Sequence, residues 1–403
     1  MKVLQLCIKP PYPPVDGGTM AMNSVTQGLL AAGCQVKVLT VASHKHPLQS
    51  ALIPQEYMEQ TRLEAVHIDL TPRPLAAMVA MLCGESYQVR RYRNASFSAK
   101  LAEVLQAESF DVIHIESIFL SDYLPLIRKY TQAPVLLRAH NVEHLIWRRN
   151  AAACRNPFKR WYFKHLALTL RAYELEQVAN YSAVVCITQN DANYFAKNSG
   201  QRKIFVMPFG VTPEYADNVD VEPNTLFHIG SMDWIPNREG VEWMLDKVWP
   251  AIHAAVPQAR LYLAGRKMPA ALMKANREGV TVVGEVPDAM YFIASKQINI
   301  VPLLSGSGIR VKIIEAMSVG KTVISTTIGA EGIACTDGVD ILLADTPEQF
   351  AFQVKRCLDD TEFCRSIGQN ASNLIAKHYN PDKLTAELIE IYTALTAKNN
   401  TTI

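Results

Sequence analysis

Residues 301–326, VPLLSGSGIRVKIIEAMSVGKTVIST, hold the most concentrated chemistry of the 403-residue chain. Their order predicts a strand, a glycine-rich turn, a helix and a second strand. Gly306 and Gly308 let the backbone pass close to a ligand, and the amides of a helix opening near Ile309 point outward at the positive end of its dipole. Such a turn takes anions, the dipole contributing about 0.3–1 kcal/mol when exposed and about 2 kcal/mol when partly buried. Arg310 and Lys312 add two cations to the first turn, where the dipole disfavours them, so a bound diphosphate is the expected compensation. Glu315 follows Gly308 by seven residues, roughly 700° of helical rotation, and so returns to nearly the same face one turn on. There it reaches a ribose hydroxyl of the same nucleotide. The alternative is a plain strand-to-helix turn with a surface Lys312–Glu315 pair.

The first half offers a second set. Asp16, Gly17 and Gly18 form a flexible turn into a helix, with a spacing that is not the G-x-G-x-x-G of dinucleotide sites. His140 closes the strand PVLLRA, at the carboxyl edge where open α/β sheets bind ligands. Asn141, Glu143 and His144 follow within reach, and Glu143 or Glu116 is available in principle as a carboxylate nucleophile.

Charge marks a third region. The formal net charge is only +2, yet residues 1–210 carry 23 Lys+Arg against 15 Asp+Glu, and residues 211–403 carry 17 against 23. Residues 147–173 alone hold seven Lys/Arg, Arg148 and Arg149 among them, with no acid and with Trp147, Phe158, Trp161, Tyr162 and Phe163 interleaved. A second cluster, with Arg90 and Arg91, follows the apolar run at 74–84. Basic and aromatic residues beside an apolar segment fit an anionic membrane surface, at about 1 kcal/mol per basic residue. They also fit an acceptor carrying a lipid diphosphate; a solvated helical face is the plainer alternative. The chain has no RNA-binding module pattern, and nucleic acid is not an expected partner.

These residues need elements to hold them. Short, continuously apolar runs alternate with helical segments from end to end: six strands in the first half, beginning at 3–8, 36–41, 110–115, 134–139, 183–188 and 203–209, and five more after residue 224. Strands apolar on both faces belong to parallel sheets covered by helices, which predicts two doubly wound α/β domains. The expected division is 1–212, a linker at 213–224, a second domain at 225–376, and a C-terminal helix within 377–403 that packs back toward the first. Eight Cys without a C-x-x-C pair point to a reducing compartment, and the first residues read as a strand rather than a signal peptide. The expectation is a cytoplasmic protein, peripheral on the inner face of a membrane at most.

The run GSGIRVKIIEAMSVGKTVIST resembles the donor-binding segment of the GT-B glycosyltransferases of family 4, as do FHIGSMDWIPNREGVEWML, LYLAGRKMP and VTVVGEVPD in the family's order; PPYPPVDGGTMAMNSVTQGLLAAGCQVKVLT and RAHNVEH match its first half less specifically. The resemblance implies two Rossmann-like domains around an interdomain cleft and a retaining transferase that takes a sugar from a nucleotide-diphospho-sugar to a glycan or lipid-linked acceptor. No cofactor is implied beyond that co-substrate. By the resemblance, Glu315 is the second Glu of the family's E-x7-E pattern and holds the donor ribose. Ser307 stands where the first Glu contacts the sugar. Ser231 and Asn237 stand where many members carry Arg and Lys, so Arg310 and Lys312 are expected at the diphosphate, with no metal; no D-x-D occurs in the chain. Gly17, Gly18, Ser231, Arg266, Gly306, Ser307, Gly308 and Ile309 complete the implied donor site. His140 is implied to contact the donor sugar, while the charge pattern, not the resemblance, puts Arg90, Arg91, Arg148, Arg149 and Trp161 on the face expected to meet the acceptor or membrane. Bacterial surface-polysaccharide assembly is the expected pathway. An epimerase, a phosphorylase and a non-catalytic sugar-nucleotide binder of the same fold are the alternatives.

Overall fold

The computed structural model describes residues 1–212, 219–274, 277–306 and 308–399. The chain divides into two units, Met1–Gly210 with Pro381–Ile403, and Val211–Asn380.

The first unit is built on seven parallel strands: β1 (Lys2–Cys7), β2 (Gln35–Ala42), β3 (Glu64–His67), β4 (Val112–Ile115), β5 (Val135–Ala139), β6 (Ala183–Cys186) and β7 (Ile204–Val206), in the order β3-β2-β1-β4-β5-β6-β7. The side-chain alternation of a strand explains why the buried residues of β1 are apolar on both faces apart from Gln5. Leu4 and Leu6 enter one core with Leu39, Ile113 and Leu137, while Val3 and Cys7 enter the other with Val36 and Val112. That second core includes Leu384, Leu388, Tyr392 and Leu395 of the helix Pro381–Asn399, so the end of the chain is part of the first unit. Each of those buried leucines contributes about 1.5–3 kcal/mol to holding it there.

The second unit carries six parallel strands: β8 (Thr225–Ile229), β9 (Arg260–Ala264), β10 (Val280–Gly284), β11 (Ile298–Val301), β12 (Thr322–Ser325) and β13 (Leu342–Leu343), ordered β10-β9-β8-β11-β12-β13. Every strand read from the sequence is present. Two were missed: β3, an edge strand whose Glu64 and His67 break the apolar pattern, and the two-residue β13.

In both sheets the strand order reverses beside the first strand of the unit, between β1 and β4 and between β8 and β11. At such a reversal the following helices lie on opposite faces and leave a crevice at the carboxyl edge. Gly17, Gly18 and Glu116 follow the strands of the first reversal, and Ser231 and the turn Gly306–Gly308 those of the second.

Candidate functional site

In the second unit, the turn after β11 runs through Gly306 (φ +125°) and Gly308 (φ +76°). Both conformations are ones that side-chain-bearing residues rarely adopt, which is why glycine is needed. Ser307 lies outside the described residues. The helix opens at Val311 and not near Ile309, with Arg310 as its N-cap and Lys312 in its first turn. Arg310 is therefore not a cation standing in the first turn. Its buried guanidinium folds back to donate to the carbonyls of Gly308 and, at 3.3 Å, Ile328, and lies 5.7 Å from the ring centre of Trp234.

Lys312 reaches from its helix to the carboxyl end of β8. Its Nζ donates to Asn237 Oδ1 at 2.5 Å and lies 3.3 Å from His228 Nε2. The opposite ring nitrogen, Nδ1, is 2.8 Å from the carbonyl of Ile300, which can only accept. That fixes the proton on Nδ1 and leaves Nε2 as an acceptor for the ammonium. Burial and then the neighbouring Arg310 push the Lys312 ammonium down to about 7, with Glu315 opposing. A part-buried lysine whose ammonium is held by two neutral acceptors, with Glu315 as the opposing acid, is only partly compensated.

The remaining candidates of this unit lie along the same edge. Asn237 Nδ2 also donates to the carbonyl of Ser231 at 2.9 Å, while the Ser231 hydroxyl is turned to Asp233 at 2.6 Å. Arg266 follows β9 with an exposed side chain, and its carbonyl accepts from the Met232 amide at 3.0 Å. Ile309 and Glu315 are part-buried. His228 and Trp234 were not recognised in the sequence as site residues. An interior strand histidine has no sequence signal, because what marks it is the lysine 84 positions away.

In the first unit, Gly17 and Gly18 open the helix Gly17–Ala31 rather than forming a flexible turn. Asp16 caps that helix, accepting from the Thr19 amide at 2.9 Å, and holds Lys9 at 2.6 Å. The Lys9 side chain lies across Gly18: a Cβ there would come within 2.9 Å of its Nζ.

His140 follows β5, and Glu116 follows β4. His140 Nε2 is 2.9 Å from Glu116 Oε2. Glu116 is fully buried and also accepts from Gln5 at 2.7 Å, with His114 at 3.2 Å and Arg138 at 3.8 Å. Burial alone would raise its carboxyl, but His114, His140 and Arg138 hold it well below the ordinary value. Burial lowers the His140 ring, partly offset by Glu116. A carboxylate so enclosed and shared is placed to hold His140, not to attack a substrate.

Glu143 opens the helix Glu143–Ala153, and burial with the nearby Glu174 raises its carboxyl to about 8. A protonated acid is a poor nucleophile at neutral pH. His144 is committed to the fold: its Nδ1 meets Glu174 at 2.5 Å and its Nε2 meets Tyr194 at 2.8 Å.

The basic segment forms two helices, Glu143–Ala153 and Pro157–Ala179, the second capped by Asn156. Arg148, Arg149, Lys159, Arg160, Lys164 and Arg171 are exposed, as are Phe158 (84%) and Trp161 (60%). Arg90 and Arg91 do not join that face as free cations: Arg90 pairs with Glu85 at 2.9 Å, and Arg91 donates to the Leu70 carbonyl beside the Tyr87 ring. Among the described residues, no helix is long and apolar enough to cross a membrane.

Two family models match the chain, the one described as Glycosyltransferase Family 4 over residues 15–215 and the one described as Glycosyl transferases group 1 over residues 223–360. An uncharacterised 44.6 kDa protein of the cps region of Klebsiella pneumoniae is 21% identical over 402 residues, covering 96% of this chain and 99% of that protein. Among solved structures, Anabaena HepE in complex with UDP is similar with a TM-score of 0.69 at 14% identity, covering 98% of this chain and all of that one. Sucrose-phosphate synthase of Thermosynechococcus elongatus is similar with a TM-score of 0.70 at 17% identity, covering 99% and 100%. Both structures share the fold of two Rossmann-like parallel-sheet domains.

Proposed function

The chain belongs to glycosyltransferase family 4, the glycosyl transferases group 1, and on that premise we propose that it moves a sugar from a nucleotide-diphospho-sugar to a glycan or lipid-linked acceptor with retention of configuration. The observation that carries the donor assignment is Lys312, desolvated at a glycine-rich turn and held by the neutral acceptors Asn237 and His228. Such a cation gains from a diphosphate what it lacks in the free protein. Arg310 shapes the turn that receives the phosphates, the amides at the head of the helix Val311–Ser318 add their partial charge, and Glu315 takes the ribose. This arrangement stabilises the departing nucleotide without a metal. His140 serves the sugar, and the leaving phosphate acts as base for the acceptor hydroxyl.

The acceptor belongs to surface-polysaccharide synthesis, a reading supported by the cps-region relative. The exposed Phe158 and Trp161 among cations support docking on an anionic membrane where a lipid-linked acceptor resides.

A thermal-shift screen over UDP-, GDP-, ADP- and dTDP-sugars tests the donor site, with UDP-sugars first because the similar Anabaena protein holds UDP. A donor at a hundred times its Kd stabilises by about 2.7 kcal/mol. Transfer assays with the stabilising donor should then run at the same rate in EDTA. No shift with any donor ends the donor assignment. Turnover without an acceptor makes the protein an epimerase, strict dependence on phosphate makes it a phosphorylase, and binding without turnover in any acceptor panel makes it a sensor.

A further inference from the structure

The carboxyl edge of the first sheet holds a buried cluster that the donor assignment does not use. Gln5 on β1, His114 on β4, Glu116 just beyond it and Arg138 on β5 are all completely buried. Tyr392 of the C-terminal helix joins them, its hydroxyl 2.5 Å from His114 Nδ1. Glu116 is the only acid among these groups. Gln5 Nε2 donates to its Oε1, the Nε2 of His114 faces the same oxygen, and His140 Nε2 meets its Oε2. Hydrogen bonds from Gln5 and His140, with the Arg138 guanidinium 3.8 Å away, keep this buried carboxylate ionised and acceptor-only.

That has one consequence for His140. The nitrogen facing an ionised carboxylate must carry the ring proton, so His140 is an Nε2–H imidazole. Burial keeps the ring neutral, so Nδ1 is left with a lone pair. No described residue is bonded to that nitrogen.

We propose that Glu116 is the positioning residue of this site, fixing His140 as the Nε2–H tautomer so that Nδ1 is presented as a hydrogen-bond acceptor to a substrate hydroxyl. A sugar or acceptor hydroxyl in contact with His140 then donates to it, and an ether or carbonyl oxygen at the same place is rejected. The ring also cannot swing, because turning Nε2 away would leave a buried carboxylate short of a donor. Tyr392 holds His114 through its hydroxyl, so the helix that ends the chain packs against the cluster.

The proposal rests on the functional reading of His140 only for its effect on turnover. The tautomer itself is read in the wild-type protein by long-range nitrogen–carbon-proton NMR of labelled histidine, the His140 signals being those lost in His140→Gln. The expected spectrum has a protonated Nε2 and an unprotonated Nδ1 from pH 7 to pH 8; a protonated Nδ1 overturns the proposal. Glu116→Gln should then mix the tautomers and lower kcat at least tenfold with donor Kd changed less than threefold, and Glu116→Asp should recover part of the loss. A Glu116→Gln protein that folds, keeps the Nε2–H tautomer and still loses turnover also overturns it, since Glu116 would then act by another route. If His140→Ala transfers at the wild-type rate while the tautomer is as expected, the role of His140 in transfer falls and the positioning by Glu116 stands. Should Glu116→Gln fail to fold, the wild-type spectrum decides.

Discussion

In the first unit, the charged groups at the strand reversal are already paired: Lys9 lies on Asp16, and Glu116 is surrounded by Gln5, His114, Arg138 and His140. In the second unit, at the equivalent place, Lys312 is met by a neutral amide and a neutral imidazole. The sheet plan is shared and the electrostatic state is opposite. Glu116 has its charge met by Gln5, His140 and the nearby Arg138, although Arg138 Nε and Nη2 have no hydrogen-bond partner, and His140 there offers an oriented hydrogen bond to a neutral partner such as a sugar hydroxyl. A desolvated cation among neutral acceptors is at a disadvantage until an anion arrives, and so it favours a phosphate.

Four measurements break or sharpen that contrast. Arg310→Ala removes both the charge and the bonds that fold the turn back on Gly308 and Ile328, and should cut kcat/KM by about 10²–10³-fold. A melting curve separates this loss from unfolding, and a rate within twofold of wild type would remove the turn from the site.

His140→Ala should lower kcat by about ten- to a hundredfold while calorimetric donor Kd moves less than threefold. An equal loss in both would make His140 a binding residue like those of the second unit and erase the contrast.

The third is a pH effect. Lys312 titrates at about 7 in the free protein, and a bound diphosphate raises that value. Binding must therefore take up a proton above pH 7. Donor affinity should fall by up to about tenfold per pH unit above neutrality, until the pH reaches the raised value of the complex. Calorimetry in buffers of different ionisation enthalpy counts the proton, and Lys312→Arg should flatten the slope. A pH-independent Kd would mean that Lys312 is not at the diphosphate.

The smallest effect belongs to the basic-aromatic face. Phe158→Ala and Trp161→Ala should each weaken sedimentation with anionic vesicles by several-fold, with no change in donor binding. Loss of donor binding in these variants would place that face at the donor instead.

Much of the fold was legible. Strands such as VLQLC and AVVC announce a covered parallel sheet because both of their faces are buried. Glu64–His67 was not legible, because an edge strand with part-buried positions has no such constraint. The site was legible where it is local. Gly306, Gly308, Arg310 and Lys312 stand out within one turn, and the Gly-rich opening of the first helix is local too. What escaped is long-range. Glu116 was visible only as a stray carboxylate, and nothing near it in sequence says that His140, 24 positions on, lies on its Oε2. Arg90 and Arg91 show the same limit: their spacing resembles a basic patch, and only the fold shows Glu85 beside one and the Leu70 carbonyl beside the other.

The sequence by itself determined the two parallel sheets, the glycine-rich turn before the helix Val311–Ser318 and the family, because strand burial and the φ demands of a turn are written in consecutive residues. Only the tertiary structure decided which cations are paired and which are desolvated. A charge's partners arrive from other strands, and its ionisation depends on how much water that packing leaves. Lys312 and Lys9 are both lysines at strand reversals in the chain. One was assigned an aspartate and the other a histidine and an amide, and that difference is what separates the candidate residues of the two units.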